Sequence, residues 1–197
     1  RESNITSGNN VENVVSNKTL KGSETEKNLY KTFAGESRAV VKYMLYAEQA
    51  KSECYMWLGE VFDNTALNEL AHARVVVRTF LRIIGTTLDN LKDSLAGETN
   101  EYENLYKEFQ ETAEREGFTQ IAKFYKELRE VEESHARAFK DFIDKLEDGT
   151  MFEGPVESKW YCMNCGYIYE GSESPAVCPL CGYPRGYFKQ YCEITNL

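Results

Sequence analysis

From about Ser23 to Leu146 the apolar residues recur every three to four positions, the period of one face of an α-helix. Leu29, Phe33, Val40 and Met44 mark a first helix. A second is expected from about Glu53 to Ile84, ended by Gly85, and a third from about Leu91 to Glu116, ended by Gly117. The fourth, from about Phe118 to Leu146, has the cleanest stripe: Ile121, Tyr125, Leu128, Phe139, Phe142 and Leu146. Ser23 stands three residues before Glu26, the spacing of a capping box. Gly149, Gly154 and Pro155 then mark a linker, and the residues from Lys159 onward are short-patterned, aromatic and rich in turn formers. The pattern predicts a polar, disordered extension over residues 1–18 and four helices over 19–147. A linker over 148–158 and a small module over 159–197 follow.

Composition narrows the partners. The 197-residue chain has a formal net charge of −9, so nucleic acid and anionic membranes, which need basic patches, are not expected partners. No run approaches the ~18 apolar residues of a membrane span, and no secretion signal is evident. The glycosylation-type triplets at Asn4 and Asn17 therefore carry little weight. Cys54 stands alone, while the other five cysteines lie between Cys162 and Cys192. Such clustering fits a local metal site in a reducing compartment better than a disulfide framework. The expected location is the cytoplasm, or an organelle lumen if the extension is the remnant of a targeting segment.

Charge intrudes where the helices should be apolar. Glu132 and His135 occupy the stripe of the fourth helix, and Glu69 and His72 that of the second, beside Phe62, Val76 and Phe80. These are the two histidines of the chain, both in Glu-x-x-His. Three residues on a helix correspond to about 60° of rotation and about 4.5 Å of rise, so each pair reaches one point. Glu36 lies between Phe33 and Val40 in the first helix, and Glu98 and Glu101 share the face of Leu95, Leu105 and Phe109 in the third. Glu36 and Glu69 are 33 positions apart and Glu98 and Glu132 are 34, with turns near Ser52 and Glu116 roughly midway. Two antiparallel hairpins would bring each carboxylate pair level. One Glu from two helices and Glu-x-x-His from two others is the ligand set of a di-metal carboxylate four-helix bundle. Hard carboxylates with one imidazole per metal suit iron or manganese. Glu-x-x-Glu alone is also common on solvated faces, and Glu111 and Glu114 read that way.

The small module carries Cys162-Met-Asn-Cys165-Gly-Tyr and Cys178-Pro-Leu-Cys181-Gly-Tyr, two CxxC pairs that form a strong four-thiolate signal. Spacing leaves zinc and mononuclear iron open, since both accept a thiolate tetrahedron. Gly166 and Gly182 permit tight turns that aim backbone N–H groups at sulfur, and Trp160, Tyr161, Tyr167 and Tyr169 can shield the site. Cys192 and Cys54 read as incidental and structural. No phosphate loop or Ser-His-Asp arrangement is evident.

Lys21-Gly-Ser-Glu-Thr-Glu-Lys-Asn-Leu with Phe33-Ala-Gly-Glu-Ser, Ala96-Gly-Glu-Thr-Asn-Glu-Tyr, and Trp160-Tyr-Cys-Met-Asn-Cys-Gly-Tyr resemble rubrerythrins over about Thr19 to Phe188. The resemblance implies an all-α four-helix ferritin-like bundle followed by a small rubredoxin-like metal-binding domain of strands and loops. It implies a di-iron centre bridged by Glu69 and Glu132, with Glu36 terminal on one iron and Glu98 and His135 on the other. One iron would move between Glu101 when oxidised and His72 when reduced. Tyr43 and Tyr106 match the tyrosines around the family's metals, and Cys162, Cys165, Cys178 and Cys181 would hold a rubredoxin-like iron. The implied activity is reduction of hydrogen peroxide to water in oxidative-stress protection. Electrons would come from a donor such as rubredoxin or an NAD(P)H-dependent reductase, and one chain of a homodimer would bring its thiolate module near the other's bundle. The competing readings are a ferroxidase or iron-storage protein, which leaves the thiolates unexplained, and a non-enzymatic electron carrier or zinc-ribbon module, which leaves Glu101 and His72 unexplained.

Overall fold

The computed structural model describes residues 19–191. The expectations for the N-terminal extension and for Cys192 lie outside them. The chain folds as two compact units that meet in sequence at Ile84 and Gly85.

The first unit is a helical hairpin. Helix α1 (Glu24–Ser52) begins at Ser23, whose side chain accepts from the Glu26 N–H. The Glu26 carboxylate returns to the Gly22 N–H at 2.6 Å rather than to that of Ser23, so the capping box is shifted by one residue. The chain turns through Cys54, held at φ 65°, into α2 (Met56–Val75). The expected second helix reaches Ile84, but α2 gives way to a π-helical turn over Val76–Leu81 and stops at Arg82 in a left-handed conformation.

The buried residues of this hairpin are mostly small: Ala47, Ala50, Gly59, Ala66 and Ala73. Small residues let two backbones approach closely. At Gly59 an added Cβ would lie 3.3 Å from the Ala47 carbonyl oxygen and closer still to the Lys51 side chain. The large members of the predicted stripe are less covered, with Met44 and Phe80 about half exposed at 52% and 47%. The alanine seam, one face round from the stripe, is therefore the contact that holds α1 to α2.

The second unit starts with α3 (Thr87–Asn100), four residues before the expected start at Leu91. Thr86 and Asp89 form a full capping box there. The rod then passes through a π-turn (Glu101–Leu105) into α4 (Tyr106–Arg115). Gly117, at φ 82°, closes it as expected. Helix α5 (Thr119–Glu147) packs antiparallel on α3 and α4 around Ala113, Ala122, Ala136 and Ile143.

The C-terminal module of the same unit is a three-stranded antiparallel sheet in the order β2 (Ile168–Glu170), β1 (Lys159–Cys162), β3 (Phe188–Gln190). Its core is Trp160, Cys162, Cys178 and Phe188, with Tyr167 and Tyr169 packed against it. The Trp160 indole N–H donates to the Gly171 carbonyl at 2.9 Å, which satisfies its one polar atom. Tyr161, expected as a shield, instead stacks on Tyr191. The segment before β1 is tied to the module: the Gly154 N–H bonds Ser172 O and the Ser174 N–H bonds Phe152 O. Four helical rods followed by a small stranded module is the predicted fold class.

Candidate metal centres

Each hairpin builds a carboxylate–imidazole triad. On α1 and α2, ligand atoms of Glu36, Glu69 and His72 lie within 4.8 Å of one another. His72 Nδ1 is 2.8 Å from Glu69 Oε2 and 3.8 Å from Glu36 Oε1. On α3 and α5, Glu98, Glu132 and His135 repeat the arrangement. His135 Nδ1 is 2.8 Å from Glu132 Oε2 and 3.7 Å from Glu98 Oε1. Helix geometry sets the short contact in each triad, and hairpin pairing sets the long one.

The electrostatics of both triads call for a cation. The Glu36 carboxyl titrates above its ordinary range, because of its hydrogen bond to Glu69, then burial, then repulsion by Glu69. Glu98 is raised by burial first, then by its bond to Glu132 and the charges of Glu132 and Glu101. Glu98 Oε2 is buried without a hydrogen-bond partner. An orphaned carboxylate oxygen beside a further carboxylate and an imidazole is what a hard or borderline metal completes. The residues fit iron.

Glu101 stands outside the second triad. Tyr106 titrates above its ordinary range because of burial, then the Glu101 side chain beside it, then the charges of Glu101, Glu132 and Glu98. The two tyrosines hold matching places in their hairpins. Tyr43 packs its ring against Phe62 of α2, and Tyr106 against Tyr125 of α5, with centroids 6.2 and 5.9 Å apart.

The four cysteines of the small module converge. Cys162 Sγ lies 3.8 Å from Cys181 Sγ, and Cys165 Sγ lies 3.7 Å from Cys178 Sγ. Sulfurs about 2.3 Å from a common centre sit about 3.8 Å apart at the corners of a tetrahedron. The two knuckles are near copies. The Gly166 N–H bonds Cys162 O, and the Gly182 N–H bonds Cys178 O. Both glycines hold positive φ, 79° and 75°, which turns the next residues back toward sulfur. The Tyr167 amide donates to Cys165 and the Tyr183 amide to Cys181, the N–H groups expected near these turns. The Cys181 thiol is lowered to about 6, chiefly by the Asn164 side chain and then by the Tyr183 amide. The Tyr167 amide favours the Cys165 thiolate, yet desolvation and the three thiols around it push Cys165 up to about 12. Four thiols sharing their protons in this way are resolved by one metal that displaces them all.

Sequence reasoning missed the two π-turns and Arg129. The Arg129 side chain reaches from α5 to the Tyr102 carbonyl in the second π-turn. No periodic signal marks either feature. Cys54 is exposed at the first hairpin turn, away from both triads in sequence.

The family model described as "Rubrerythrin" matches residues 27–88 and 89–164, two segments that meet within the first turn of α3. The model for the "Rubrerythrin, rubredoxin-like domain" matches residues 160–189. A rubrerythrin of Porphyromonas gingivalis is 40% identical over 186 residues, covering 88% of this chain and 92% of that protein. A rubrerythrin of Nitratidesulfovibrio vulgaris is 36% identical over 184 residues, covering 87% and 96%. Solved structures of nigerythrin align over 94% of this chain and 98% of theirs, with 24% identity and a TM-score of 0.33. Rubrerythrin-type domains bind a di-iron centre and a rubredoxin-like iron, and the Glu/Glu/His clusters and the four cysteines are donor sets of those kinds. With the family model matched across both hairpins, the chain belongs to the rubrerythrins, oxidoreductases of oxidative-stress protection.

Proposed function

We propose that this protein is a non-haem peroxidase that reduces hydrogen peroxide to water, H2O2 + 2 e⁻ + 2 H⁺ → 2 H2O, with electrons entering at Cys162, Cys165, Cys178 and Cys181. The observation that carries the reading is the pairing, in one chain, of a tetrahedral four-thiol site with two Glu/Glu/His triads. Iron held by the thiolates would supply electrons one at a time, and two irons held in the bundle would supply the pair that the O–O bond requires.

The chain's own residues handle position and protons. Glu36, Glu69, Glu98, Glu132, His72 and His135 would hold the metals. Glu101 and His72 would alternate as ligands, and Glu101 freed from metal would relay protons to peroxide. The Tyr106 hydroxyl, beside Glu101, steadies that carboxylate, and burial keeps the phenol protonated as a donor. Tyr43 holds the corresponding place in the first hairpin.

The electron donor is a small redox protein such as rubredoxin, or an NAD(P)H-dependent reductase, and the working unit is a homodimer in the cytoplasm. No described helix is long and apolar enough to cross a membrane. The test is steady-state reduction of hydrogen peroxide by the iron-loaded protein with a rubredoxin-type donor, alongside oxygen as oxidant. Faster turnover with peroxide supports the reading. Equal rates with both oxidants would replace it with the ferroxidase reading.

A further inference from the structure

The π-turn at Glu101–Leu105 is local irregularity in an otherwise helical rod. Inside it the Tyr106 N–H bonds the Glu101 carbonyl, five residues back. An α-helix would have given that N–H to Tyr102 O, four residues back. The Tyr102 carbonyl is therefore deprived of its helical donor. Arg129 supplies one: its Nε–H donates to Tyr102 O at 2.8 Å, and its Nη1 donates to Gln110 Oε1 at 3.0 Å. Both bonds are partly buried, and Gln110 is itself held by Glu114 at 2.9 Å. One guanidinium on α5, three residues before Glu132, thus braces the turn from one side and α4 from the other.

The turn has a chemical consequence. Residues five apart on an α-helix lie about 140° around the axis from each other, on different faces. An i→i−5 turn brings them to one face. Glu101 and Tyr106 are five apart, and the Tyr106 N–H is bonded to the Glu101 carbonyl across the turn. The π-turn thus sets Glu101 and Tyr106 on one side of the rod, and it leaves a carbonyl that Arg129 satisfies.

We propose that Arg129 is a positioning residue that latches the π-turn at Tyr102 and so holds Glu101 against Tyr106. Its catalytic consequence rests on the proposed role of Glu101, whereas its conformational part does not. A guanidinium suits the task because its planar fork reaches two acceptors at fixed angles, which the single ammonium of lysine cannot.

The test uses the full chain carrying Arg129→Met, which keeps the apolar stem and removes the donors, and Arg129→Lys. Residue-resolved carbonyl and amide NMR shifts of 101–106 in the metal-free protein read the turn directly. The expected result is a moved Tyr102 carbonyl signal and a Tyr106 amide signal shifted toward α-helical pairing in both variants, less so in the lysine variant. In the iron-loaded protein the thiolate spectrum stays unchanged, and peroxide oxidation of the reduced protein slows about tenfold or more. Unchanged signals across 101–106 overturn the latch. If the methionine variant does not fold, the lysine variant carries the same readout. Moved signals with an unchanged peroxide rate keep the latch and instead overturn the role given to Glu101.

Discussion

His135 Nδ1 lies 2.8 Å from Glu132 Oε2, and the imidazole and carboxylate converge on one point because three residues on α5 nearly complete a helical turn. The same relationship joins His72 to Glu69 on α2 at the same distance. The chain thus makes one ligand device twice, in two hairpins of nearly equal loop span.

Metal content follows from this duplication. Three irons per chain are expected after anaerobic iron loading, two on the triads and one on the thiolates. Glu132→Ala should remove bundle iron and leave the thiolate iron and its visible absorption intact, as should Glu69→Ala. Elemental analysis with an optical spectrum checks both. A saturated content of one metal, unchanged in Glu69→Ala, would defeat the assignment of ligands.

The triads were legible because their chemistry is local. Glu-x-x-His on an apolar stripe fixes two donors with no knowledge of the tertiary fold, and matched hairpin spans supply the third. The Cys-x-x-Cys-Gly-Tyr knuckles were legible for the same reason, since the glycine with positive φ and the following amide are encoded within six residues. The π-turns were not. They depend on where one amide finds its carbonyl, and the second is reached by a side chain 27 positions away, Arg129. The stripe also misled in one respect: it predicted large side chains at the helix contact, whereas Ala47, Ala66, Ala73 and Ala136 are buried there and Ile121 and Phe142 stay 48% and 40% exposed. Alanine carries little hydrophobic signal, yet it is what allows close helices.

The Thr86 cap offers a stability measurement. Thr86 Oγ1 accepts from the Asp89 N–H at 3.2 Å, and the Asp89 carboxylate accepts from the Thr86 hydroxyl and N–H at 2.6 and 3.0 Å. Thr86→Ala should destabilise the protein by about 1 kcal/mol, read as a lower urea midpoint with an unchanged slope. The Thr86 hydroxyl first, then its backbone N–H, hold the Asp89 carboxyl below its ordinary range. A folded pKa lower than the unfolded one stabilises above the unfolded value, and that contribution fades as pH falls through the folded value. The difference between wild type and Thr86→Ala should therefore narrow under acid. A gap that widens below pH ~4 would contradict the pairing.

Where electrons enter can be separated from where they are used. Cys162 is buried in the small module's core, and its sulfur is 3.8 Å from that of Cys181. Cys162→Ser should disrupt the thiolate iron and abolish turnover driven by an external reductant. A single oxidation of the pre-reduced bundle by peroxide should remain largely intact, since it draws on electrons already stored there. Stopped-flow traces of both reactions decide the matter, and equal survival of the two activities would remove the thiolate site from the electron path.

Glu101 decides between peroxide and oxygen. Breaking the O–O bond of peroxide with two electrons needs two protons delivered where the bond breaks. Glu101 is a carboxylate beyond the second triad, beside a phenol that burial and neighbouring charge keep protonated. Oxygen binding to the reduced centre does not need this proton at its first step, so loss of Glu101 should fall mainly on peroxide. In the wild type, stopped-flow oxidation of the ferrous protein should be much faster with hydrogen peroxide than with oxygen. In Glu101→Ala the peroxide rate should drop by about a hundredfold, the scale of a lost general acid, while the oxygen rate changes little. Glu101→Gln, which keeps the size and polarity of the side chain but cannot supply a proton, should behave like the alanine variant. If the glutamine variant instead matched wild type, the carboxylate would be acting as a positioning group, and the proton would have to come from elsewhere.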